Sequence, residues 1–147
     1  MNDISTRQGW MSCLAKAPPA RLAALWQAAG LAPGFTWLRP PETGAVMVRG
    51  RMGGAGGPFN LGEMTVTRCA LRLGTGEVGH AYVQGRDRAH AEQAALCDAL
   101  MQTGAAAAVR ARVLEPLAAA MKAARATRAR KAAATKVEFF TLVRGED

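Results

Sequence analysis

The sequence predicts an α+β fold: a central antiparallel sheet of about four strands, with short helices before it and further helices after it. Three observations carry this reading. Between Phe35 and Gln84, apolar and polar residues alternate with the two-residue period of half-buried strands. Outside that span apolar residues recur three and four apart, as on a helix face. The connections within the central span are short, whereas a parallel pair needs a crossover of about a dozen residues.

Ser5 or Thr6 caps a first helix that runs to about Lys16 and ends before Pro18-Pro19. The second proline suits the first turn of another helix, Ala20 to Ala29, which Gly30 stops. Leu22, Leu25, Trp26 and Ala29 give it one apolar face. Two short helices in succession suggest a helix-turn-helix. The second offers only Arg21 and Gln27 to read base edges, which argues against DNA recognition.

Phe35 to Arg39 forms a strand closed by Pro40-Pro41, and Ala45 to Met52 a second strand. The Gly-rich run Gly53-Gly54-Ala55-Gly56-Gly57-Pro58 leads to a third, about Met64 to Leu73. There Cys69, Leu71 and Leu73 share one face, and Arg68, Ala70 and Arg72 the other. Gly74-Thr75-Gly76-Glu77 turns the chain into a fourth strand, Val78 to Gln84. Asp87 then caps a helix that reaches about Gln102, its buried side lined by Ala91, Ala94, Ala95, Cys97 and Leu100. A last helical stretch, Ala105 to Ala134, is split by Pro116, with its second piece starting near Glu115. Val109, Val113, Leu117 and Met121 recur every four residues along it. The end, Val137 to Arg144, is strand-like.

The chain of 147 residues is sized for one domain, 1–147, in which 105–147 reads as a basic helical arm with an apolar end. It holds 32 alanines but only 27 Leu, Ile, Val and Phe, a thin core that suits a subunit finishing its burial against partners. Of the net charge of +8, +7 lies between Ala105 and Lys136, where Glu115 alone opposes eight Lys and Arg. That segment suits a nucleic acid, a polyphosphate or an acidic protein surface, or is a solvated helix face. No aromatic residue is interleaved for base stacking, so nucleic acid is the weakest of these. Phe139, Phe140 and Leu142, followed by Arg144, form the candidate docking segment. No apolar run is long enough to span a bilayer. The first residues have neither the basic nor the apolar region of a secretory signal, so the expected location is cytoplasmic.

Cys13, Cys69 and Cys97 are odd in number, widely spaced and form no CxxC pair; reduced thiols are expected and no metal site. The Gly-rich loop offers backbone N–H groups to an anion, with Arg51 just before Gly53 and Gly54. It lacks the phosphate-loop lysine and precedes a strand, so a flexible connection explains it as well. Arg86, Asp87 and His90 open a helix, where Asp87 and His90 are surface neighbours and the N-terminus favours anions. With Arg68 these are the candidate substrate- or partner-binding residues. His80, near Tyr82 in a strand, fits a packed or half-exposed residue better than a base. No catalytic residue emerges from the motifs.

Seven strings, in order, resemble one family: Thr6 to Met11 (TRQGWM), Glu42 to Gly44 (ETG), Arg51 to Gly54 (RMGG), Thr65 to Arg68 (TVTR), Gly85 to Glu92 (GRDRAHAE), Asp98 to Gln102 (DALMQ) and Phe139 to Gly145 (FFTLVRG). They resemble PhnG, a subunit of the bacterial carbon–phosphorus lyase core complex. The resemblance implies a hetero-oligomer with PhnI, PhnH and PhnJ, two copies of each, in phosphonate catabolism. It implies a first step in which a phosphonate displaces adenine from MgATP, giving a ribose 1-phosphonate 5-triphosphate. By the same resemblance the base-displacing chemistry belongs to PhnI, and the iron–sulfur cluster and S-adenosylmethionine to PhnJ. This chain would then bind no cofactor alone. Two roles fit: a structural subunit that organises PhnI, or one that lends Arg51, Arg86 or His90 to the triphosphate or phosphonate.

Overall fold

The computed structural model describes residues 3–136. Two helices, α1 (Arg7–Lys16) and α2 (Pro19–Ala29), lead into β1 (Phe35–Arg51), β2 (Pro58–Leu73) and β3 (Val78–Gln84). Then come α3 (Arg88–Leu100), the single turn α4 (Ala106–Val109), a π-helical turn at Arg110–Leu114, and α5 (Glu115–Ala134). The α+β class stands. The strand-like Val137 to Arg144 lies outside the described residues.

The local signals act as expected. Thr6 Oγ1 accepts the Gly9 N–H at 3.1 Å and so caps α1. Pro19 opens α2, and Gly30 closes it in the left-handed region. Asp87 Oδ1 accepts the His90 N–H at 2.9 Å as the cap of α3. Pro116 leaves one carbonyl of the preceding turn without its amide donor, and the chain widens there into the π-turn before α5 begins at Glu115. α3 ends two residues before the expected Gln102 and continues as turns.

Among the described residues the sheet has three strands, in the order β1-β2-β3, all antiparallel, rather than four. The two strands expected on either side of Pro40-Pro41 are one. Arg39 pairs with Ala70 and Glu42 with Arg68, so both prolines bulge opposite Cys69. β1 is an edge strand, where missing N–H groups leave no ladder position empty. β2 begins at Pro58 rather than Met64, because the β1–β2 hairpin extends past the body to a tip at Met52–Gly54. Gly53 and Gly54 turn that tip with φ of 59° and 78°, which side chains disfavour.

All helices lie on one side of the sheet or beside it. Cys69, Leu71, Leu73, Ala81 and Val83 are buried towards α3, whose Ala91, Ala94, Ala95 and Ala99 face them. Small side chains let the layers approach. At Gly79 a Cβ would lie 2.0 Å from the Ala95 carbonyl oxygen and 2.9 Å from the Ala99 Cβ, so no larger residue fits. The scarcity of large aliphatics is met by alanine-mediated close packing. Val109, Val113, Leu114 and Leu117, all fully buried, anchor the C-terminal helices, and Met121 is half-buried. From Lys122 to Ala134 α5 is exposed throughout, so the basic arm carries little apolar packing of its own.

Candidate functional site

The expected site residues fall into three places. Arg51, Gly53 and Gly54 sit at the hairpin tip, where Arg51 Nη1 donates to the Gly56 carbonyl at 3.4 Å. Arg86, Asp87 and His90 sit at the β3–α3 connection. Seven ladder positions separate Gly44, beside the end of β3, from Arg51, or about 23 Å at the rise of a strand. Arg68, opposite Tyr82, lies on the uncovered sheet face two ladder positions further from the tip than the end of β3. A single anion cannot touch all three groups.

The geometry of each place narrows its chemistry. Arg86 is exposed. Asp87 is spent on its cap. His90 is buried, and its Nε2 lies 2.8 Å from the Leu14 carbonyl oxygen. A carbonyl only accepts, so Nε2 is the donor in this contact. Nδ1 is buried without a hydrogen-bond partner among the described residues. His90 therefore joins α3 to α1 and is closed to a substrate. His80 is exposed rather than packed, on the same open face as Tyr82.

Arg68 belongs to a surface network. Its Nε and the Arg39 Nη1 each donate to Glu42 Oε1 at 2.6 Å. Arg39 first and Arg68 second hold the Glu42 carboxyl below its ordinary range. The network rims a concavity of about 400 Å³ whose other walls include Val46, Val66 and Tyr82. Thr43 Oγ1 and Thr67 Oγ1 lie 3.1 Å apart on the strand pair below it.

The most developed polar cluster was not among the expected candidates. Asp98, fully buried on α3, accepts the Arg7 guanidinium through Nε at 3.1 Å and Nη2 at 2.8 Å. Its carboxylate also accepts Trp10 Nε1–H at 2.8 Å and the His80 backbone N–H at 3.0 Å. The same hydrogen bond raises the Arg7 pKa above its ordinary value. Arg7 Nη2 and Gln102 Nε2 both donate to the Val78 carbonyl, at 3.2 and 2.8 Å. These side chains occupy outward-facing groups of edge strand β3, where another chain would otherwise pair. A signal was present in the sequence: Asp98 continues the buried stripe Ala91, Ala94, Ala95, and a charge in such a stripe demands a partner.

The thiols are core groups. Burial pushes Cys13 up, Cys69 to about 11 with help from Glu92, and Cys97 to about 12 with help from Asp98. Neutral buried thiols are poor metal ligands. No group of three His, Cys, Asp or Glu among the described residues is placed to hold a metal ion. No helix among them is long and apolar enough to cross a membrane. Part of the basic run is structural as well: Arg110 Nη1 donates to the Ile4 carbonyl, and Arg112 Nη1 to the Ala29 carbonyl at the end of α2, both at 3.3 Å.

Among the described residues the polar groups thus build hydrogen-bonded joints, and no nucleophile, base and anion-binding group converge. The fold and its surfaces define a small α+β protein of the subunit kind, with one sheet face and one basic helix left uncovered. The family model described as "Phosphonate metabolism protein PhnG" matches residues 5–145. A relative from Rhizobium meliloti (strain 1021), "Alpha-D-ribose 1-methylphosphonate 5-triphosphate synthase subunit PhnG", is 47% identical over 144 residues, covering 98% of this chain and 92% of that one. The chain belongs to the PhnG family.

Proposed function

We propose that this chain is the PhnG subunit of a cytoplasmic ribose 1-phosphonate 5-triphosphate synthase and acts as its structural, assembly-forming member. The partners are PhnI, PhnH and PhnJ. MgATP and a phosphonate are substrates of the complex, and adenine is displaced in the step that this chain supports. The iron–sulfur cluster and S-adenosylmethionine of the later bond cleavage belong to a partner. The name of the 47% identical relative supports the complex and the reaction.

One observation carries the structural role: Arg51 at the hairpin tip stands about 23 Å along the strand from the ladder position beside the end of β3, and the one candidate base, His90, is sealed between α1 and α3. A site-building subunit would instead point several charged groups at one phosphate chain. The test is adenine release from MgATP by the fully assembled complex. Arg51→Ala and Arg86→Ala are expected to weaken assembly yet lower kcat/KM by less than about tenfold once assembled. Loss of a direct phosphate contact would cost about 1.5–3 kcal/mol, or about 10- to 150-fold. A hundredfold loss in intact complex would place that arginine in the substrate site.

A further inference from the structure

The uncovered sheet face carries a continuous run of apolar side chains. Ladder pairing and spacing put Val46, Val48, Met64 and Phe59 on one side of the hairpin, continuous with Val66 and Tyr82 at the concavity. Leu61 joins them, since its Cδ1 lies 2.6 Å from where a Cβ of Gly50, the partner of Phe59, would stand. Leu61 is 62% exposed, Tyr82 49% and Phe59 41%. Soluble proteins seldom leave such a continuous stripe to water unless it is a binding surface. The stripe also ends in a cavity of about 400 Å³, large enough to take a protruding side chain.

The charges around the stripe select its occupant. Arg39 and Arg68 meet at Glu42 on the rim of the concavity, and Arg72 lies on the same face of β2, whereas Arg49 and Arg51 alternate to the reverse side of the hairpin tip. Glu42 is already engaged by Arg39 and Arg68, which leaves Glu63 as the one other acid in the hairpin. A second copy of this chain, at a formal +8, would set arginine against arginine. We propose that this face, from Tyr82 along the hairpin to Leu61, seats a different protein chain that presents an apolar segment bordered by carboxylates. The surface deepens the subunit reading above and rests on it: it is where the chain holds a partner of the synthase.

The experiment co-expresses the full chain with the other synthase subunits and measures assembly by co-purification and titration. Phe59→Ser with Leu61→Glu, both on exposed positions, is expected to weaken assembly by about thirtyfold or more, as loss of a buried anchor does. Gln27→Glu on the exposed side of α2 serves as the control and is expected to assemble normally. Arg72→Glu, an exposed position on the same face, is expected to weaken assembly and flatten its salt dependence. Amide exchange on the wild-type complex reads the same face without any variant, and residues 46–64 are expected to gain protection on assembly. Wild-type affinity in the Phe59/Leu61 variant, or unchanged exchange at 46–64, overturns the face while leaving the subunit reading intact. Failure of the wild-type chain to join the other subunits overturns both. A wild-type chain that dimerises alone, with Leu61→Glu dissolving the dimer, overturns the choice of occupant.

Discussion

Asp98 and Arg7, 91 residues apart in the chain, form a two-point ion pair with contacts of 2.8 and 3.1 Å, the carboxylate fully buried and the guanidinium half in solvent. The pair joins the start of α1 to the last turn of α3. Because Asp98 also accepts from Trp10 and from the β3 backbone, one carboxylate sets the relative positions of two helices and the sheet edge. Removing it should be costly in proportion. Asp98→Ala leaves the Trp10 N–H and a guanidinium without their acceptor and is expected to destabilise the chain by about 3–5 kcal/mol. Asp98→Asn keeps the shape and some hydrogen bonds, and about 1.5–3 kcal/mol is expected. Urea unfolding checks both, and a change below 1 kcal/mol, within the range of ordinary surface pairs, would remove the network from its central place.

Gly79 marks the closest approach of β3 to α3. Gly79→Ala drives a methyl into the Ala95 carbonyl and the Ala99 side chain, neither of which can rotate away. An expected loss of about 1–3 kcal/mol should appear as a lower Tm with the secondary structure retained. Gly57→Ala, in open space at the hairpin tip, should leave Tm unchanged.

Alkaline pH should loosen the core through its thiols. The folded state holds Cys69 at about 11 and Cys97 at about 12, both above the ordinary value of 9.0. Between pH 9 and 12 the unfolded chain therefore binds fewer protons than the native one, so stability falls as pH rises. Below pH 9 the thiol contribution is fully present. Cys69→Ala is expected to flatten the fall up to pH 11, and Cys97→Ala up to pH 12, in unfolding curves taken across that range. A profile unchanged by both variants would show that other groups govern alkaline stability.

The C-terminal segment offers a separate handle on assembly. Phe139, Phe140 and Leu142 follow a basic helix that is exposed from Lys122 onward. Deleting 137–147 is expected to abolish co-purification with partner subunits while far-ultraviolet circular dichroism stays near that of the whole chain. Normal assembly of the truncated chain would leave the sheet face and hairpin as the sufficient contact.

Sequence alone determined the parts whose causes are local. Thr6, Gly30 and Asp87 stop or start helices by the reach of one side chain or the freedom of one residue. The alternation of Cys69, Leu71 and Leu73 with Arg68, Ala70 and Arg72 assigned both faces of β2, because a strand's period is built into its backbone. Seven short strings in order were enough for the family. Tertiary structure decided everything that depends on which distant residues meet. Pro40-Pro41 read as a strand end, yet β1 runs through them, since an edge position and a bulge opposite Cys69 remove the need for their missing N–H groups. His90 stood among the candidate binding residues until the carbonyl of Leu14, 76 residues away, closed it. Asp98 was visible as a charge in an apolar stripe, but its partners lie in α1 and β3, and no spacing rule links them. Local chemistry acts along the chain and can be read there. Convergence of side chains is a property of the packed layers, and it appears only when α3 settles on the sheet.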